Sequence, residues 1–403
     1  MKFNYSKDDI WSLIPLKKER SFIQFSEPSK VFVYTKNEKR NLLNGFKKKI
    51  SFSEIRALFH NYSLRDNFEK PILFHLFYEA HCIFDENLDH VSEDDILLIE
   101  VHFEKSTSIN FSQKNAYKRK ISLKRVKSNL TFKNYDKSFN KVYEHLLNGD
   151  CYQINLTFPS LFSFNREVGP HNFVENLWKN NEEIGDYGHC TWIGPLNRLL
   201  LSNTPECLFH LKKRGGVLNL YSMPIKGSLK LSKERDKRKD WERLKSSKKD
   251  EGELFMITDM LRNDLSKINN PYSRVIKKKI PLWVPGILHQ YSLIEVSLEK
   301  ETSLLNVLTA VFPGGSITGA PKAKVIGLLK KLESPNPRGF YCGSTILLHK
   351  SMIAASINIR SSDICFEKMS LKYSTGSGVT LLSNSKEEYG ELQLKERSVL
   401  NLF

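Results

Sequence analysis

The chain has 403 residues, 40% hydrophobic and 11% aromatic, which excludes a disordered tail and allows one elaborate domain or two smaller ones. Lys and Arg outnumber Asp and Glu by 62 to 45, a net charge of +17 that suits a basic cleft for anionic substrates, a nucleic-acid surface, or plain lysine-rich usage. The opening MKFNYSKDDIWSLIPLKKER lacks the apolar run of a secretory signal, and no stretch reaches the ~18–20 apolar residues that span a bilayer, so no membrane partner is expected. The six cysteines are scattered without a C-x-x-C pair, as in a reduced, cytoplasmic protein.

Residues 1 to 128 read as mixed strands and helices, with apolar runs KVFVY, ILFHLFY and DILLIEVHFE but no motif that carries chemistry. They form one N-terminal region, and residues 129–403 a catalytic one. The basic stretch 114–129, KNAYKRKISLKRVKSN, reads as an exposed linker or edge. It lacks the aromatic interleaving of a nucleic-acid arm, so no nucleic acid is expected as a partner. The spacing in NYDKSFNKVYEHLLNGD predicts a helix with Phe139, Val142, Tyr143, Leu146 and Leu147 on its apolar stripe, stopped by Asn148-Gly149. CYQINLTFPSLF follows as an alternating strand, then HCTWIG, RLLLS, ECLFHL and GGVLNLYSMPI as shorter ones. A long charged helix begins near residue 232 and turns amphipathic through ELFMITDMLRND, burying Leu254, Ile257, Met260 and Leu261. Helices SLLNVLTAVF and AKVIGLLKKLE flank a glycine-rich run. Strands FYCGSTILL, MIAASINIR and YSTGSG and the helix KEEYGELQLKERSVLNLF complete the chain. Runs of neighbouring strands, rather than strict alternation with helices, predict an α+β fold with large mixed or antiparallel sheets and packed helices.

Several local patterns could carry chemistry. FPGGSITGAPK (312–322) could offer backbone N–H groups and a helix N-terminus to an anion, or simply cap a helix; its spacing is not that of a P-loop. STGSGV (374–379) reads as a second glycine turn, either a carboxylate nest or a hairpin. Asp250 with Glu253, and Glu388 with Glu391, stand three apart on helices, so each pair shares a face. Carboxylates from two helices suit Mg²⁺, and two solvated faces are the alternative. Arg360 could grip a carboxylate or make a structural ion pair. His289 could be an acid or base, or a packed side chain. Lys226, between Pro-Ile and Gly-Ser, could be a solvated residue, an anion clamp or a nucleophile.

In chain order, NGDCYQINL, TPE, PIKGS, GELFMITDMLRND, FPGGSITGAPK, RGFYCG, INIR, GSG and EEYGELQLK resemble the chorismate-utilising enzymes. That family includes anthranilate synthase component I, aminodeoxychorismate synthase component I, isochorismate synthase and salicylate synthase. The resemblance covers about residues 130 to 403 and implies an anthranilate-synthase-component-I-like fold. It further implies a chorismate site with Mg²⁺ held by Glu253 and Glu391, supported by Asp250 and Glu388. Tyr341, Arg360, Gly376 and Gly378 match positions that hold the enolpyruvyl carboxylate. Gly227, Ser228, Thr318 and Gly319 match the other end of the pocket. Lys395 matches a lysine near the metal, and His289 a histidine near the leaving group.

Two positions then bear on the reaction. Members that add water carry a lysine base where this chain has Gln153, which disfavours hydration. PIKG resembles the aminodeoxychorismate synthases, whereas anthranilate synthases carry PIAG. Amination of chorismate at C4 is therefore expected, with Lys226 as first nucleophile and His289 as candidate acid; anthranilate formation is the alternative. Ser228 replaces the usual threonine, Asp250 is a methylene shorter than the usual glutamate, and no tryptophan-binding motif is evident. With no glutaminase triad in sight, ammonia is expected from a separate glutamine amidotransferase subunit or from free ammonium.

Overall fold

The structure, a computed structural model, describes residues 9–85, 91–110, 121–179, 184–231, 236–268, 272–284, 286–333, 335–401 and 403. The basic run at 111–120 and the expected start of the charged helix at 232–235 lie outside the described residues.

Every strand pairing among the described residues is antiparallel, and the pairings join into one long ladder. Gln153–Ser163 lies near one end and pairs with Ser370–Val379. The order continues through Ser361–Cys365, Arg198–Ser202, His189–Ile193 and Ile10–Leu16 to Ser21–Tyr34. From there it runs through Leu98–Asn110, Ile72–Leu76, Ser344–His349, Met352–Ser356, Cys207–Arg214 and Val217–Met223 to Ile287–Ser297. Strands from the first 110 residues thus sit mid-ladder, flanked on both sides by strands from beyond residue 150. The architecture is α+β, as the runs of neighbouring strands predict.

Periodicity located the helices well and their buried faces less well. Phe132–Leu147 is helical and capped by Thr131, but its buried stripe is Tyr135, Phe139, Val142 and Leu146, while Leu147 is 66% exposed. The charged segment forms two helices, Lys237–Lys245 and Lys248–Ser266, because Ser247 caps the second and breaks the run. The second buries Leu254, Ile257 and Leu261 as expected, leaves the expected Met260 half-buried, and buries Thr258, Asp264 and Leu265 in addition. They pack with Val307, Leu308 and Val311 of Leu304–Val311 in the largest core cluster.

Three strands depart from expectation. Gln153–Ser163 does not alternate: its first six residues are all buried, because helices cover one face and the site lies on the other. MIAASINIR is a strand only to Ser356; the chain then turns, and Arg360 sits at φ +52°. STGSGV is no turn. It is the end of Ser370–Val379, with Gly376 opposite Thr157 and Gly378 opposite Asn155.

The run FPGGSITGAPK folds into short packed elements, and its Ser316 and Ile317 line the cavity described below. Gly315–Thr318 is a short helical turn, Gly319–Ala320 pairs with Gln153–Ile154, and Lys322–Glu333 is a helix. Its glycines serve close packing. A Cβ on Gly319, at φ +141°, would stand 2.1 Å from the Gln153 carbonyl, and one on Gly315 1.8 Å from Met260. Lys322 is spent on Asp264, at 2.8 Å, which ties this run to ITDMLRND.

Arg338 staples the region behind the site. It is 3% exposed and donates to both Glu333 oxygens at 2.8 Å, and at 2.6 Å to the carbonyls of Ile317 and Asn155. Removing one partner of such a pair leaves a buried charge unbalanced. Arg338→Ala is therefore expected to lower unfolding stability by ~3–5 kcal/mol, read from the urea midpoint.

Candidate active site

The two ends of the ladder face each other across a cavity of about 940 Å³, its open mouth included. One wall begins at the strand Ile225–Lys230, which pairs with Ile287–Ser297. The register slips at Gly227, between the pairs Lys226–Gln290 and Ser228–His289. Gly227 is at φ +77°, and a Cβ there would press Asp250 at 3.1 Å. Such a bulge re-aims side chains, and here Lys226, Gly227 and Ser228 all line the cavity.

The helix Lys248–Ser266 contributes Lys249, Asp250 and Glu253, and the helix Ser385–Leu400 contributes Glu388, Glu391 and Lys395. The i, i+3 argument thus holds for both acidic pairs, and the tertiary fold brings them to one place. Burial of Asp250 raises its pKa, and the charges of Glu391 and Glu388 add to the rise. Burial pushes Glu253 up to about 7 against the pull of Lys226, with Glu388 and Asp250 adding to the rise. Glu391 goes the other way. Burial opposes ionisation, but Lys395, 2.9 Å away, outweighs it and holds the carboxyl down at about 2. Among the described residues no three acidic, imidazole or thiol side chains converge closely enough to hold a metal by themselves.

The opposite end carries His289 and Arg360. His289 Nδ1 lies 2.9 Å from the Gly227 carbonyl, and Arg360 Nη2 lies 3.0 Å from Nε2. The first contact places the ring proton on Nδ1, so Nε2 accepts from the guanidinium. Burial, then the Arg360 charge, depresses the ring to about 3. His289 is therefore neutral at pH 7 with both nitrogens engaged. It holds Arg360 in place and has no acidic proton to give, so the expected acid role does not fit this geometry. Burial also lowers the Arg360 pKa. No carboxylate among the described residues pairs with Arg360, so its fork is left to an anion in the cavity.

Lys226 Nζ makes one long contact, 3.4 Å to the Ser316 carbonyl. Burial lowers its pKa, Lys395 lowers it further, and Glu253 and Glu206 oppose the shift. A Cβ on Gly378 would stand 3.1 Å from Lys226 Nζ and 2.3 Å from Gln153 Nε2, so the two side chains flank the same glycine. Gly376 is similarly tight against Asn155 and the Tyr341 hydroxyl.

The cavity thus gathers Lys226, Gly227, Ser228, Asp250, Glu253, His289, Tyr341, Arg360, Gly376, Gly378, Glu388, Glu391 and Lys395. Gln153, Thr318 and Gly319 stay outside its lining. Gln153 is 1% exposed behind Gly378. Thr318 spends its hydroxyl on the Gly314 carbonyl at 3.0 Å, and Gly319 packs on the Gln153 backbone. Sequence reasoning missed Glu206, of the TPE run. It is 3% exposed and lines the cavity, and its Oε1 has no hydrogen-bond partner. Burial pushes it up to about 7, opposed in part by Ser316 and the Lys226 charge. No spacing to another acid flagged it, because it comes alone from a strand start.

A family model for chorismate-binding enzymes matches residues 16–401. The chain belongs to the chorismate-binding enzyme family. Two bacterial relatives of this chorismate-binding enzyme bear the name aminodeoxychorismate synthase component 1. That of Salmonella typhimurium is 32% identical over 281 residues, covering 68% of this chain and 58% of its own. That of Escherichia coli K12 is 30% identical over 295 residues, again 68% and 58%. The chain therefore spans under two thirds of the length of these relatives. Two solved structures share the α+β fold. Anthranilate synthase component I from Streptococcus pneumoniae superposes with a TM-score of 0.73 at 19% identity, covering 96% of this chain and 92% of its own. The menaquinone-specific isochorismate synthase of Escherichia coli gives 0.66 at 13% identity, covering 98% and 94%.

Proposed function

We propose that this chorismate-binding enzyme aminates chorismate at C4 with ammonia, giving 4-amino-4-deoxychorismate and water, toward 4-aminobenzoate and folate. The observation that carries the reading is Lys226: a buried amine with a lowered pKa, inside the cavity, beside a carboxyl that keeps a proton near neutral pH. Amination with retained configuration suits two displacements. Neutral Nζ attacks C2, the ring double bonds shift, and the C4–O bond breaks. Glu206, rather than His289, supplies the proton with which the oxygen leaves as water. Ammonia then attacks C4, the double bonds shift back, and the C2–Nζ bond breaks to restore the lysine. Arg360, held by His289, and the backbone at Gly376 and Gly378 take the enolpyruvyl carboxylate. Gln153 has no basic nitrogen to activate a water, which leaves hydration uncatalysed.

The donor set around Glu253 and Glu391 fits a hard cation. The charges of Glu388 and Glu391 on one helix add to the raised pKa of Asp250, and that of Glu388 to the raised pKa of Glu253, on the other, and Mg²⁺ takes few protein ligands alongside water and substrate oxygens. Glu253 and Glu391 would hold it, with Asp250 and Glu388 behind them. It would neutralise the ring carboxylate and draw electron density toward it.

Ammonia is supplied by a separate glutamine amidotransferase subunit, a reading supported by the component 1 name of the relatives. No helix among the described residues is long and apolar enough to cross a membrane. The six cysteines are unpaired, which suits a reducing cytoplasm. The test is incubation of purified protein with chorismate, Mg²⁺ and ammonium, followed by mass analysis. Aminodeoxychorismate without pyruvate is expected; anthranilate with pyruvate, or isochorismate, would overturn the reading.

A further inference from the structure

The acidic wall carries a cation of its own. Lys249, next to Asp250, donates from Nζ to Glu388 Oε1 at 2.9 Å, and the Glu388 side chain is only 5% exposed. Ser383 donates to the same oxygen at 3.0 Å, and Ser377 to Oε2. Glu388 therefore meets three donors, while Glu253 meets none among the described residues. The charge of Lys249 reaches beyond its partner: Glu253 and Glu391 also act on it, and it acts on Glu253 and Asp250. An ammonium so placed satisfies part of the negative charge that would draw a divalent cation, and it repels one directly.

We infer that Lys249 is a built-in counter-ion that competes with Mg²⁺ for this wall and keeps metal affinity low until the carboxylate of the substrate arrives. The inference rests on the magnesium reading above. Its physical content is a coupling. The substrate brings negative charge that lets the ammonium and the metal share one site. Substrate and metal then each tighten the binding of the other by the same factor, as linkage requires. Lys249 is a positioning residue here, since it acts through Glu388 and the field at Glu253 and touches no reacting atom. Lys395 is the analogous cation at Glu391, which it neutralises from within the same helix, whereas Lys249 reaches Glu388 from another.

The experiment is calorimetric titration of Mg²⁺ into the full chain, with and without chorismate, for wild type, Lys249→Met and Lys249→Arg. Without chorismate, Lys249→Met is expected to bind Mg²⁺ about tenfold more tightly than wild type, because a repelling unit charge a few ångströms away is gone. Lys249→Arg, which keeps the charge, stays within about twofold of wild type. Chorismate strengthens Mg²⁺ binding in wild type and in the arginine variant, and less so in the methionine variant. The melting temperature gives a second readout. In EDTA, Lys249→Met melts below wild type, and saturating Mg²⁺ raises it by more. Equal or weaker Mg²⁺ binding by the methionine variant overturns the counter-ion role, as does an arginine variant that behaves like methionine. If Lys249→Met fails to fold, Lys249→Gln is read by the same criteria. Failure of wild type to bind Mg²⁺ even with chorismate overturns the magnesium reading itself, and the two failures are thereby distinguished.

Discussion

Lys226→Ala is expected to lower turnover of chorismate and ammonium by ~10³-fold or more, as loss of a covalent nucleophile does. A direct readout accompanies the rate. Wild type given chorismate and Mg²⁺ without ammonia gains the mass of chorismate less one water, and peptide mapping places it on Lys226. The alanine variant gains nothing. The variant should fold normally, since Glu253 already sits at about 7 and simply takes up a proton when the neighbouring ammonium is removed. Near-wild-type amination by the alanine variant would reduce Lys226 to an anion clamp.

Glu206→Gln is expected to cost ~10²–10⁴-fold in turnover, the range for loss of a general acid. Its pH signature separates this role from a structural one. The carboxyl is raised to about 7, so it holds a proton below that pH and loses it above. Its titration therefore contributes an alkaline limb to the turnover of wild type, a fall of about tenfold per pH unit that sets in once Lys226 has also shed its proton. Lys226 produces the acid limb, because its amine must shed a proton before it attacks and burial already favours that loss. Glu253, also near 7, contributes in the same direction as Lys226, since ionisation strengthens its hold on a cation. Of these three groups Glu206 is the one that brings a fall at high pH. In the glutamine variant that limb disappears and the residual rate is flat or rising above 7; persistence of the limb would assign it elsewhere.

Much of the site was legible in the sequence because helical spacing is a local property. The pairs Asp250–Glu253 and Glu388–Glu391 were placed on common faces by counting residues, and the structure puts both at the cavity. Glycine runs were read less well. A run such as STGSGV has the same composition whether it turns or lies in a strand, and the partner Gln153–Ser163, more than two hundred residues away, decided for the strand. The same holds for FPGGSITGAPK, whose glycines pack against Met260, Ile357 and the Gln153 carbonyl, contacts that no local spacing announces.

By itself the sequence determined the α+β class, the places of the helices, the acidic faces and, through its motifs, the family. Protonation states were decided only by tertiary structure, because a pKa depends on burial and on charges that arrive from other elements. His289 is neutral because the fold buries it and then sets Arg360 against it, and Glu206 keeps a proton because the cavity wall shields it from water. Lys249 meets Glu388 across 139 positions of sequence, where no spacing rule reaches.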